Sequence, residues 1–119
     1  MYKRFREMPV WSDAMEIAAN IFLLTEKLPR KEDYGLTSQI RRSAVSISAN
    51  IAEAFGRQHS KDKVNFYCFS RGSITETMSH LEYGHRVNYF STEEISDTNK
   101  KLEVLNNSIN KIIKTLNDR

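Results

Sequence analysis

No disulfide framework is open to this chain, because its 119 residues contain a single cysteine, Cys68, set inside a helical pattern. A lone cysteine of this kind suits a reducing compartment and reads as a small packed hydrophobe rather than a nucleophile. Proline is scarce too. Pro9 and Pro29 stand where helices begin and end, and with only four glycines no linker or low-complexity stretch divides the sequence, so one domain over residues 1–119 is expected. No run reaches the roughly eighteen apolar residues of a membrane span, and the opening MYKRFREMPVW has no apolar signal segment. The expectation is a cytoplasmic protein without membrane contact. Ligand sets are missing as well: His59, His80 and His85 do not form the i, i+4 pair of a metalloprotease and Cys68 has no second thiol, so neither a metal nor a cofactor is expected. Glu76 and His80 lie four residues apart on one helix face, but nothing nearby supplies a nucleophile or a phosphate loop. They read as a helical ion pair, and the chain as no enzyme.

What the sequence does have is helical periodicity. Val10, Ala14, Ile17, Ile21, Leu24 and Leu28 recur at spacings of three and four, with Trp11, Met15, Ala18 and Phe22 widening the apolar arc, which predicts a helix over 10–28 opened by Pro9 and stopped by Pro29. The segment before it, Met1 to Met8, is basic and expected to be loosely ordered. Leu36, Ile40, Ala44, Ile47, Ile51 and Phe55 predict a second helix over 37–55, closed by Gly56 in the left-handed region. Ser60 is the expected N-cap of a third helix over 61–89, in which Tyr67, Ile74, Met78 and Leu81 define one face. Ser91 and Glu94 form the S-x-x-E pattern of a capping box ahead of a fourth helix over 92–117, whose single stripe is Ile95, Leu102, Leu105, Ile109, Ile112 and Leu116. Four amphipathic helices with short connections give an all-α fold, an antiparallel up-down-up-down four-helix bundle.

The second and third helices carry more apolar surface than a bundle interior uses. Val45, Ala49 and Ala52 lie opposite the core stripe of the second; Phe69 and Gly72, with Tyr83 and Val87, lie away from the core face of the third. These two helices are therefore expected to supply a subunit interface through Val45, Ala49, Ala52, Phe69 and Gly72, the glycine permitting close backbone approach. Between the two stripes of the second helix runs a polar band, Ser43, Ser46, Asn50 and Glu53, with Arg42 adjoining. Read as a catalytic centre it lacks partners; read as structure, it sets the register of bundle or assembly.

The run GLTSQIRRSAVSISANIAEAFGR, together with Val10-Trp11, Leu28-Pro29 and the Gly72-Ser73 pair followed by Glu76, resembles the signature of the small four-helix-bundle proteins encoded by intervening sequences of bacterial 23S rRNA genes, the S23-like proteins. The likeness covers nearly the whole chain. It departs from the family pattern at Ser48, where the family usually has proline, and at Ala54, where it usually has glycine; the first change predicts a straighter helix. The resemblance implies assembly into a homopentameric ring, which periodicity alone does not. It also implies kinship in architecture with accessory proteins of diversity-generating retroelements, which bind nucleic acid and a reverse transcriptase.

Charge adds a functional expectation. The net charge is +3, and between Arg41 and Arg71 six basic residues (Arg41, Arg42, Arg57, Lys61, Lys63 and Arg71) face two acidic ones, Glu53 and Asp62. Arg57, His59, Lys61 and Lys63 gather at the turn between the second and third helices, where phosphate oxygens have access. No helix-turn-helix, RNA-recognition or zinc-finger motif is present, so contact with RNA or DNA would be electrostatic rather than base-specific. The expected partners are other copies of the chain and a nucleic acid, most readily structured RNA. The alternative is a protein-protein interaction scaffold whose basic turn is only solvated.

Overall fold

Pro9 lacks the N–H that a first helical residue leaves unused, and the chain turns helical there in the computed structural model, which describes residues 1–119. Four helices follow: α1 (Pro9–Thr25), α2 (Leu36–Gly56), α3 (Ser60–Arg86) and α4 (Thr92–Asn117), with short 3-10 turns at Phe5–Glu7 and Arg30–Glu32 and no strand. The fold is all-α.

Their apolar stripes meet in one core. Ile21, Ile40, Ile47, Ile51, Ile74, Leu81, Leu102, Leu105 and Ile109 are fully enclosed, each such side chain contributing about 1.5–3 kcal/mol by leaving water. In α4 the expected stripe shifts by one residue near its end: Ile113 is buried and Ile112 only partly so. α2 runs unbroken through Ser48, whose hydroxyl donates back to the Val45 carbonyl at 3.1 Å.

Several ends differ from the periodicity. α1 stops at Thr25 rather than Leu28, because the Thr25 hydroxyl donates to the Ile21 and Phe22 carbonyls (2.7 and 3.0 Å) and the Glu26 N–H turns to Leu23 O in a tighter turn. α3 ends at Arg86 rather than residue 89. Asn88 adopts the left-handed region (φ 69°), and the Tyr89 N–H then reaches back to Gly84 O at 2.8 Å. Gly56 is not left-handed: it is the last helical residue, and the chain leaves through extended Arg57. The residue preceding α3 is His59, and Ser60 is already helical. At α4 the capping box is present, with Ser91 Oγ accepting from Glu94 N–H (3.1 Å) and Glu94 Oε1 from Ser91 N–H (2.8 Å). The first residues are ordered as well: Phe5 packs edge-on against Trp11 with ring centroids 5.0 Å apart, and Met8 is buried.

A row of hydroxyls knits α2 to α3. Ser43 Oγ and Thr77 Oγ1 are 2.8 Å apart, Ser73 donates to Ser46 Oγ (3.0 Å), and Ser70 donates to the Ile47 carbonyl (2.9 Å). Each step forward along α3 is a step back along α2. The remaining members of the expected band continue the row outward, Asn50 Nδ2 donating to Ser46 O and Oγ (2.9 and 3.1 Å) and Glu53 pairing with Arg57 at 3.4 Å. At the far end of the molecule Glu32 holds two links together: it accepts from Leu36 N–H at the start of α2 (3.2 Å) and from the Tyr89 hydroxyl (2.9 Å), the latter bond raising the Tyr89 pKa. Lys27 on the loop after α1 pairs with Glu94 at 2.6 Å.

Candidate nucleic-acid interface

The α2–α3 turn needs only residues 57–59 to reverse the chain, so α2's last carbonyls and α3's first residues crowd together. Lys63, one turn into α3, uses this: its ammonium donates to the Ala54 and Phe55 carbonyls at 3.1 and 3.2 Å, supplying from outside the cap that Gly56 does not provide. Arg41 does the same for α1. Its Nη2 donates to Phe22 O (3.3 Å), its Nε to Thr25 Oγ1 (2.8 Å), and its guanidinium lies 4.2 Å from the Phe22 ring centre. Two of the six basic residues are thus committed to the protein's own helix ends.

The other four are divided. Arg57 and Lys61 are exposed at the turn, Arg57 stacked 4.5 Å over Phe66 and leaning on Glu53. Arg71 lies on the flank toward α4, where it donates to Asn110 Oδ1 (3.0 Å) and approaches Cys68 Sγ (3.7 Å). Arg42 is exposed in mid-helix, on the rim of a polar groove of about 260 Å³ lined with Gln39, Ser43, Ser46 and Glu76. Arg41, Arg42 and Arg71 therefore do not share one surface with Arg57 and Lys61, and Lys63, though at the same turn, is engaged by the Ala54 and Phe55 carbonyls.

What sequence spacing hid is the company that Arg57 and Lys61 keep. The N-terminal segment folds alongside the end of α2, where Phe5 shares a shallow hollow with Ala49, Ala52, Glu53, Gly56 and Arg57. Arg71 bonds Asn110, so the last turns of α4 lie beside the start of α3. One end of the molecule consequently gathers Lys3, Arg4, Arg6, Arg57, Lys61, Lys63, Lys111, Lys114 and Arg119 against Glu7, Glu53, Asp62 and Asp118. That is an excess of five positive charges where the whole chain carries +3. The signal was present in the two terminal segments but becomes one patch only through the fold. Exposed lysine and arginine heads around a helix turn contact phosphate oxygens without reading bases.

The expected interface residues lie at the surface. Val45 is 56% exposed and Phe69 58%; Ala49 and Gly72 are exposed, Ala52 partly so, and a Cβ added at Gly72 would meet nothing. Val45 and Ala52 continue the flank of Arg41, the side on which α1 packs, whereas Phe69 stands one turn from Ser73 on the side of the α2–α3 groove. The α1 flank adds Met15, Phe22 and Leu23, the last 64% exposed. The Glu76 and His80 side chains are 3.4 Å apart and meet no nucleophile, and no three His, Cys, Asp or Glu side chains are grouped so as to hold a metal ion. No helix is long and apolar enough to cross a membrane.

Residues 6–111 match the family model described as 23S rRNA-intervening sequence protein. Among solved structures, the chain is similar to a crystal structure of a protein with unknown function from the S23 ribosomal protein family of Bacteroides thetaiotaomicron, with 28% identity, a TM-score of 0.79, and 88% of this chain and 98% of that one covered. No curated protein matches.

Proposed function

Because the chain belongs to the family of 23S rRNA-intervening sequence proteins, we propose that it is a non-enzymatic, cytoplasmic nucleic-acid-binding protein: a single-domain up-down-up-down bundle that closes with copies of itself into a homopentameric ring and binds structured RNA electrostatically. The observation that supports this reading is the excess of five positive charges at one end, built from three segments distant in sequence. Arg57 and Lys61 are its core, joined by Lys3, Arg4 and Arg6. A ring repeats the patch in every copy, and weak phosphate contacts in parallel reach useful affinity.

The test is fluorescence anisotropy with a labelled structured RNA, a duplex DNA and a single strand, each at low and at physiological salt. We expect binding to the structured RNA whose log affinity falls linearly with log salt, by about 0.7–0.9 per phosphate neutralised, and its loss in Arg57→Glu/Lys61→Glu with assembly unchanged. Equal affinity in that double variant removes the basic end from consideration. The second reading, a protein-protein scaffold, draws on the exposed Phe22, Leu23 and Val45; absence of nucleic-acid binding even at low salt favours it.

A further inference from the structure

The ring reading leaves open how one chain offers a neighbour both halves of a contact, and the surface holds two unlike halves. One is a shallow floor of small side chains, Ala49 and Ala52, bordered by Val45 and opening into the hollow beside Phe5 and Gly56. The other is a ridge: Phe69, 58% exposed, with bare Gly72 one turn on and Glu76 two turns on. Floor and ridge occupy adjoining sides of the molecule, divided by the Ser46–Asn50 polar band.

The hydrogen-bonded seam gives their relative heights. Ser70 meets Ile47, Ser73 meets Ser46 and Thr77 meets Ser43, which sets Phe69 level with Ala49 and Glu76 level with the turn that carries Arg42. Rotation about an axis parallel to the bundle preserves height. A closed ring already requires a head-to-tail contact between unlike faces, and we propose that in it Phe69 of one copy seats on the Ala49–Ala52 floor of the next, while the same rotation brings its Glu76 toward that neighbour's Arg42. Size and charge are then complementary under a single operation. Arg42 has no acidic oxygen within 4 Å in its own chain, and Glu76 is engaged only by His80 at 3.4 Å. Contacts on adjoining sides turn successive copies around an axis and close a ring, whereas contacts on opposite sides would propagate a filament.

This inference rests on the ring reading, and one experiment separates the two. Phe69→Glu destroys the ridge and leaves the floor; Ala49→Glu destroys the floor and leaves the ridge. Light scattering on wild type, each variant and their equimolar mixture reads the outcome, with circular dichroism to verify helicity; if either glutamate unfolds the chain, Phe69→Ser and Ala49→Gln replace them. We expect each variant alone at the monomer mass of 13.9 kDa and the mixture at twice that mass, because one intact ridge meets one intact floor and the complementary pair of faces is spoiled. Variants that keep the wild-type assembly, or monomers that fail to pair on mixing, overturn this pairing of ridge and floor while the ring stands. A monomeric wild type overturns the ring and this contact with it.

Discussion

Two of the six basic side chains that make the middle of this sequence look like a phosphate-binding tract are tied to carbonyl oxygens of their own chain. Lys63 is the clearer case, since its ammonium closes the last turn of α2 at 3.1 and 3.2 Å. Lys63→Met keeps the apolar stem and removes the donor, so it should cost about 1 kcal/mol of stability and lower the melting temperature by about 4 °C. Affinity for RNA should change little beside the loss in Arg57→Glu/Lys61→Glu; a melting curve and a titration on the same samples check both halves. Glu94 gives a pH-dependent counterpart. Its hydrogen bond to Lys27, and then the Ser91 N–H, hold its pKa below the usual carboxylate value. The ionised form is the one the fold favours, so its contribution is fully present above the unfolded pKa, about 4.3, and fades as pH falls through the lower folded value. Wild type should therefore be more stable than Glu94→Gln at pH 7 by what an exposed ion pair supplies, about 0.2–1 kcal/mol, because glutamine can keep the capping-box bond to Ser91 N–H. The gap should narrow progressively as pH falls below about 4.3, and thermal melts on both proteins across the acidic range decide it.

At the scale of elements, the close approach of the α3–α4 turn to α3 depends on Gly84. A Cβ there would drive into the Phe90 ring and stand 3.3 Å from Leu36 Cδ2. Alanine ordinarily gains up to about 1 kcal/mol over glycine within a helix, but overpacking costs about 1–3 kcal/mol. The second term wins, and chemical denaturation of Gly84→Ala should show net destabilisation. The helices themselves were legible in the sequence because stripes such as Ile40, Ala44, Ile47 and Ile51 are local, and the Ser91–Glu94 box needs only four residues to declare itself. Their ends were less legible. The end of α1 is fixed by Thr25's own hydroxyl and braced by Arg41, sixteen residues on, and α2 is closed by Lys63 rather than Gly56, so both ends draw on side chains that arrive only after the helices pack. The same holds for the candidate interface. Arg57 and Lys61 announce themselves as neighbours, whereas their association with Lys3, Arg4, Lys114 and Arg119 is a product of topology. The Val45–Ala49–Ala52 stripe was readable as surplus apolar surface, but not as a face shared with α1.

For the whole molecule, the 46 Å long axis carries the basic excess at the end that holds both chain termini and the α2–α3 turn, so parallel copies in the proposed ring would present all their basic ends on one rim. The hydroxyl seam between α2 and α3 also bears on the order in which the chain acquires structure. Its partners are joined through the shortest link in the molecule, residues 57–59, against residues 26–35 between α1 and α2. Closing the shorter loop loses less chain entropy, and a packed pair then offers a surface on which α1 and α4 condense. On this ground we expect the α2–α3 pair to form the folding nucleus. Ser70→Ala, which breaks the seam at Ile47 O, should slow refolding in stopped-flow measurements, while Leu102→Ala on α4 should mainly hasten unfolding. Ala49 and Phe69 both ride on that pair, so each copy would acquire the means to recognise its neighbour before its own first and last helices have docked.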